Sequence, residues 1–280
     1  MAAGQLHKRE KLKDRLAFVA TLIITVIMLF PILWMLGISL KTRIDALAMP
    51  PRWFFRPTLE NYKLVFANSD FLHGFENSLI IAVCSLALVL AAGVPAAYAL
   101  ARFKFTRKKD IAFWILSTRM APPVSVLIPF YLMFRSVGLT DTKFALVIMH
   151  VTINLALVIW VMRSFFQEIP RELEEAALID GCTPLSAFTR IVLPLSANGI
   201  VATAILGFVF SWNELMFALV LAGGGAKTAP AFVCNYISYQ EIIWGQLAAS
   251  GVIVSVPVLI FIGMVQKYLV RGLALGALKQ

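Results

Sequence analysis

The run Arg171-Glu-Leu-Glu-Glu-Ala-Ala-Leu-Ile-Asp-Gly181, followed by Cys182-Thr-Pro-Leu-Ser-Ala-Phe-Thr-Arg-Ile-Val-Leu-Pro194, is polar, locally ordered and set between two strongly apolar stretches. Pro170 suits the first position of a helix, where its missing N–H costs nothing. Glu172, Glu174 and Glu175 then fall in the first turns, favoured by the positive end of the helix dipole. Leu173, Ala176 and Ala177 form one face dominated by small residues. Gly181 stops the helix in a left-handed conformation. Thr183 and Pro184 restart it as N-cap and first residue. Leu185, Phe188, Ile191 and Val192 make an apolar stripe before Leu193-Pro194 ends the second helix. The spacing thus predicts two short helices with a bend, carrying water on one side and membrane at both ends. Small side chains let a partner's wall approach the backbone, and the glutamates beside them set charge and register. An amphipathic helix resting on lipid headgroups fits less well, because an anionic leaflet repels three glutamates.

The sequence on either side is membrane-like. Sixty per cent of the 280 residues are hydrophobic and 14% are charged, with a mean hydropathy of +0.84. About 20 apolar residues cross a bilayer as a helix. Six segments qualify, near Leu16–Leu40, Ser78–Ala101, Ile111–Phe134, Phe144–Met162, Gly199–Ala222 and Leu247–Tyr268. The first is too long for a secretory signal core and holds bulky Phe30, Trp34 and Met35, so it reads as an anchor. Sixteen of the 25 lysines and arginines fall on the side shared by the N-terminal tail, the second-to-third connection and the polar run. That bias puts both termini in the cytoplasm. The expected organisation is an all-α membrane protein: a tail over 1–15, a six-helix domain over 16–268 with its polar loop at 168–194, and a second tail over 269–280. The stretch from Lys41 to Glu76, with Trp53 and three prolines, is expected along the membrane interface. Pro122, Pro123 and Pro129 predict a kinked third span.

Several function classes fall away. The net charge of +10 follows from the loop asymmetry, with no soluble basic surface for nucleic acid. Cys84, Cys182 and Cys234 have no metal-ligand spacing. Gly223-Gly224-Gly225-Ala226-Lys227-Thr228 resembles a phosphate-cradling loop but has Ala226 where glycine must precede Lys-Thr. No nucleophile–base pair or metal cluster marks an intramembrane enzyme. No inverted repeat marks an ion-coupled secondary transporter, which remains the alternative reading.

Ionisable and amide groups inside the spans are functional candidates by default. Arg119 lies in span three and Glu214 in span five, so they either pair or each face a water-filled path. An unpaired Arg119 would suit an anionic sugar derivative. His150 and Asn154, four apart, share a face of span four. Asn154 and Asn213 suit hydroxyl-rich ligands or, equally, interhelical hydrogen bonds; for His150 the interhelical bond is the stronger expectation.

Glu175-Ala-Ala, Asp180-Gly181 and Ile191-Val-Leu193-Pro194 resemble the EAA loop of permease subunits in binding-protein-dependent ABC importers. Gly138-Leu-Thr-Asp141-Thr142, Phe165-Phe166-Gln-Glu-Ile169-Pro170, Trp212-Asn213-Glu214 and Gln266-Lys-Tyr-Leu-Val-Arg271-Gly272 look like the carbohydrate-uptake branch, similar to the smaller permease subunit of maltose importers. Asn198 departs from the pattern, standing where relatives often carry a second proline. The resemblance implies the type I ABC importer permease fold in a bacterial inner membrane. It implies as partners a second permease subunit, two cytoplasmic ATPase subunits that use ATP and Mg, and a soluble binding protein that delivers a carbohydrate. This chain itself would bind no cofactor and catalyse nothing. Glu175, Ala176, Ala177, Asp180, Gly181, Leu193 and Pro194 would then carry ATPase coupling, and Arg271 and Gly272 would reach the same interface. Gly223, Gly224 and Gly225 would probe the binding protein's cleft, although glycines serve equally well as a flexible turn.

Overall fold

The apolar runs do form helices, and most extend past the ends set by hydropathy. The computed structural model describes the backbone of residues 2–239 and 241–277 and the side chains of residues 13–239 and 241–264. In chain order the helices are α1 (Ala2–Ser39), α2 (Arg43–Ala46), α3 (Glu60–Ala67), α4 (Ser69–Arg102), α5 (Lys108–Met120), α6 (Pro123–Ser136) and α7 (Lys143–Glu168). They continue as α8 (Glu172–Ile179), α9 (Pro184–Ala187), a π turn (Phe188–Val192), α10 (Leu193–Leu195), α11 (Ala197–Trp212), α12 (Met216–Leu221), α13 (Ala229–Val233) and α14 (Trp244–Ala277). Among the described residues, four helices are long and apolar enough to cross a membrane, or up to six if each of two bent pairs is one span.

Two compact units result. The first combines residues up to 67 with residues 236–253. Here Lys41, only 4% exposed, lies with its ammonium 5.1 Å from the Trp34 ring and 5.0 Å from the Phe55 ring. Cation–π attraction to the two rings offsets part of the cost of burying the ammonium, and Asp45 adds a Coulomb attraction. Trp53 meets Trp34 edge-on at 5.2 Å while remaining 65% exposed, as an interfacial anchor should.

The second unit, residues 68–235 with the rest of α14, is built on α4 and α7. At Gly93 the two helices touch so closely that a Cβ would lie 2.7 Å from Val158 Cγ1, so only glycine fits. Val89, Ala97, Val158, Met162 and Phe166 fill one end of the core, and Ile81, Leu146, Phe217 and Leu221 the other. Arg102, at the end of α4, donates to the Ile169 carbonyl just past α7. Both helices therefore end on one face, and the α5–α6 pair between them must cross back.

That crossing is no gentle kink. Span three divides into α5 and α6, which meet at 92° across Ala121 and Pro122. Pro123 opens α6, where its missing N–H is harmless, and the residues before a proline leave the helical region. Span five also breaks, ending α11 at Trp212 and restarting as α12 at Met216.

Candidate functional site

The polar hairpin takes its bend from Gly181, at φ +87°. The Cys182 N–H bonds the Ala177 carbonyl and the Gly181 N–H the Leu178 carbonyl, the paired closure of a Schellman cap. Thr183 Oγ1 then accepts from the Ser186 N–H at 3.2 Å, and Pro184 opens α9. Two expectations change. Helix α8 starts at Glu172 behind Arg171, so Pro170 sits ahead of it rather than at its first position. Nor does Leu193-Pro194 end the second helix. The wider turn over Phe188–Val192, closed by Leu193 N–H on Phe188 O, carries the chain through, and Pro194 falls in the tolerant first turn of α10. The break comes at Ser196, with a 74° bend into α11, and Asn198 lies inside α11.

The alanines face apart. Ala176 is exposed, whereas Ala177 is 5% exposed and packs on its own chain. The outward surface is therefore Leu173, Ala176, Leu178, Ile179 and, from α9, Leu185, with Ile179 86% exposed. Glu172, Glu175 and Asp180 rim it in the open. Leu193 is half-buried, and Pro194 is exposed.

Glu174 turns inward, a role that sequence reasoning missed. Its Oε2 accepts from Tyr98 Oη at 2.7 Å, and its Oε1 stands 2.5 Å from Arg102 Nε, an ion pair off hydrogen-bond alignment. The Arg102 and Glu174 side chains are 7% and 12% exposed. Arg102 also donates through Nη2 to the Ile169 carbonyl at 2.7 Å. Phe188, from the π turn, packs at a 37° tilt on the Tyr98 ring, with the centroids 4.4 Å apart. Both arms of the hairpin thus seat on the end of α4. The available signal was the four-residue spacing of Tyr98 and Arg102 in the last turn of a span, which puts them on one face.

On the opposite face, Gly223, Gly224 and Gly225 are no flexible turn. Asp141 accepts from the Gly223 N–H (2.8 Å), the Gly225 N–H (3.1 Å) and the Ala226 N–H (2.9 Å), while its own N–H bonds the Leu221 carbonyl. Burial pushes the Asp141 pKa up, but the backbone donors of Ala226, Gly225, Gly223 and Gly224 outweigh it and hold the carboxyl below its ordinary range. Asn77 Nδ2 donates to the Gly225 and Lys227 carbonyls, both at 3.0 Å, and the Ala229 N–H donates to Ser78 Oγ at 2.8 Å. Asp70, Glu76, Lys143, Lys227 and Phe232 help line a cavity of about 430 Å³ beside this loop.

Within the spans, Arg119 and Glu214 do not pair. Arg119 donates to the Ile153 carbonyl at 3.0 Å and lies 4.9 Å over the Phe210 ring, with its side chain in the open. Glu214 instead caps α12, accepting from the Phe217 and Ala218 N–H groups at 2.9 and 3.2 Å. His150 Nε2 lies 3.6 Å behind it, and His150 Nδ1 shares a 2.6 Å hydrogen bond with Ser211 Oγ, which in turn meets Ser85 Oγ at 2.9 Å. His150 is thus an interhelical link. Asn154 is 2% exposed and lines no open path in this chain; its Oδ1 is buried without a partner. Asn213, which caps the end of α11 three residues after Phe210, is exposed, and its Nδ2 donates back to the Val209 carbonyl at 2.9 Å. Arg119, Phe210 and Asn213 therefore form one open row of cation, ring and amide. Arg271 and Gly272 lie outside the residues whose side chains are described.

The hairpin has the form of a part made to be gripped from outside, and the sequence around it has known kin. Residues 93–275 match the family described as the binding-protein-dependent transport system inner membrane component. The chain belongs to this family. It is a permease subunit of an ABC importer and a multi-pass protein of the inner membrane. The chain is 37% identical over 267 residues to the sulfoquinovosyl glycerol transport system permease SmoH of Agrobacterium fabrum, covering 94% of this chain and 93% of that one. It is 34% identical over 276 residues to the trehalose/maltose transport system permease MalG of Thermococcus litoralis, covering 97% and 99%. Its fold is that of a chain in the crystal structure of a bacterial importer of the acidic polysaccharide alginate. The TM-score is 0.77 at 23% identity, covering 92% of this chain and 96% of that one. Membership in an ABC family leaves the ion-coupled alternative without support.

Proposed function

We propose that this permease forms half of a translocation path for a saccharide or saccharide derivative, beside a second permease subunit and above two ATPase subunits that bind and hydrolyse ATP with Mg. A soluble binding protein delivers the substrate to the face bearing the Gly223–Gly225 loop. The chain contributes no catalytic group and holds no cofactor of its own. The carrying observation is the outward apolar surface of Leu173, Ala176, Ile179 and Leu185, held on a hairpin whose bend and seat are both fixed. A large exposed apolar side chain such as Ile179, on a support this rigid, gives an ATPase cleft something to push against. Glu175 and Asp180 at the rim set register, Ala177 and Gly181 fix the hairpin's shape, and Leu193-Pro194 passes its motion into α11.

Relatives named for sulfoquinovosyl glycerol and for trehalose/maltose support the saccharide class. So does the open row of Arg119, Phe210 and Asn213, which offers donors, an acceptor and a stacking ring. The test is ATPase activity in the reconstituted complex, stimulated by sugar and binding protein, for wild type against a Glu175→Ala/Gly181→Leu double variant. Loss of stimulation with the complex intact supports the reading. Full stimulation moves coupling elsewhere.

A further inference from the structure

Helix α4 is anchored at both ends by polar contacts of kinds that resist sliding. Near its start, Asn77 donates to the carbonyls of Gly225 and Lys227, and Ser78 accepts from the Ala229 N–H. The same loop lies against the helix at Gly74, where a Cβ would come into ordinary contact, 3.5 Å from Lys227 O and Ala229 N. Near its end, Tyr98 and Arg102 hold Glu174 of α8, and the Tyr98 ring packs on Phe188 beyond the hairpin's bend. Between Asn77 and Tyr98 runs a single helix, about 32 Å long at the usual rise, with Pro95 in the last turn before Tyr98. Toward its end it lies close against α7, through the contact of Gly93 with Val158. No other helix among the described residues bonds directly, through its side chains, to both the hairpin and the glycine loop.

We infer that α4 is a connecting rod between the two docking faces, with Tyr98, Arg102 and Glu174 as its inner clamp and Asn77 and Ser78 as its outer clamp. The inference rests on the importer reading above. Displacement of α8 by an ATPase subunit must either break a buried ion pair or carry the end of α4 along. Buried ion pairs are costly to open because each charge would be left without its counter-ion. The helix therefore moves, and the loop tied to its other end moves with it. The clamp residues are positioning residues: none faces the ATPase surface, and Asn77, which borders the cavity beside the loop, is 4% exposed and spends its amide on the two loop carbonyls.

The test reads the far end while driving the near one. Cys84, Cys182 and Cys234 are replaced by serine, and a polarity-sensitive fluorophore is placed at Gly224→Cys, where a Cβ meets nothing within 4 Å. The complex with its ATPase subunits is held in lipid nanodiscs, and the probe is ATP·Mg with vanadate, so no sugar need be identified. The labelled parent is expected to change emission on ATP·Mg–vanadate. Tyr98→Phe and Asn77→Ala, each deleting hydrogen bonds without a change of charge, should each cut that response about threefold or more. Because the clamps act in series, the double variant should respond no less than the weaker single variant. An undiminished response in either single variant, or losses that simply add in the double one, would overturn the rod. A labelled parent that assembles with its ATPase subunits yet gives no response would overturn the coupling role proposed for the hairpin, a result distinguishable from the other two.

Discussion

The hairpin at Glu172–Ala187 and the loop at Gly223–Ala226 are both polar connections between spans, and each is held by one carboxylate. They are held in different ways. Glu174 belongs to the segment that it secures and reaches out to charged and phenolic side chains on α4. Asp141 belongs to another segment, 82 residues before the first glycine it holds, and its partners are main-chain amides. One device fixes where a preformed pair of helices sits. The other gives shape to a segment with no side chains of its own to fold around. A moving joint needs the first, because its local form survives when its seat shifts. A loop presented to a partner needs the second, because glycines alone would wander.

The largest effect should come from emptying the hairpin's seat. Glu174→Ala leaves Arg102 buried without its acid and Tyr98 without its acceptor, which costs about 3–5 kcal/mol in pairs of this kind. Thermal unfolding of the purified protein measures it. Pairing Glu174→Met with Arg102→Leu should recover much of the loss, because burying apolar groups removes the desolvation penalty. A loss below about 1 kcal/mol for Glu174→Ala would mean that the hairpin is seated by packing, and the contrast with Asp141 would collapse.

Next comes the bend. Gly181 sits at φ +87° with open space around a would-be Cβ, so the cost of replacing it is conformational rather than steric. Gly181→Leu should cost about 1–2 kcal/mol locally and abolish ATP-driven uptake in the assembled complex. Gly181→Asn, better suited to the left-handed region, should retain a good part of the uptake. Equal uptake by both variants and wild type would remove the bend from the mechanism.

Asp141 provides a milder test with a pH signature. Its folded pKa lies below the ordinary 3.8, so its stabilising effect is fully present above that value and is lost as pH falls through the lower, folded one. Amide exchange at Gly223, Gly225 and Ala226 should therefore be slow at neutral pH and should lose protection only below about pH 4. Asp141→Asn should speed that exchange about tenfold at neutral pH, since charge-assisted bonds become neutral ones. Exchange in wild type as fast as in Asp141→Asn would restore the flexible-turn reading.

How far each region could be read beforehand follows from the same contrast. The hairpin's stop at Gly181 and restart at Thr183-Pro184 are local signals, acting within three or four residues, and the structure has both. So are the apolar lengths that mark six crossings. The severity of the breaks at Ala121 and Ser196 was not legible, because prolines mark where a helix can yield and packing decides by how much. The inward turn of Glu174 and the grip of Asp141 depend on residues 76 and 82 positions away in the chain. No local pattern carries such pairings. Asp141 had appeared within a family-like motif without a role, and its left-handed backbone at φ 58° fits a residue placed for its partners.

The smallest effect distinguishes membrane charges that cooperate from those that merely coexist. Arg119 and Glu214 looked like a natural pair, yet one is spent on a carbonyl and a ring and the other on a helix start. A double-mutant cycle on thermal stability, using Arg119→Gln and Glu214→Gln, should therefore be additive within about 0.5 kcal/mol. A coupling well beyond that would mean that the two side chains meet in some state of the transport cycle, and Arg119 would then be a structural tie rather than part of the open row. Additivity leaves Arg119 with its charge uncompensated by any acid among the described residues. Uptake of a uronate-bearing saccharide should then fall more in Arg119→Gln than uptake of its neutral counterpart, by about tenfold if the guanidinium meets the carboxylate directly. Equal losses for the two sugars would assign Arg119 to the shape of the path and leave charge selection to the binding protein.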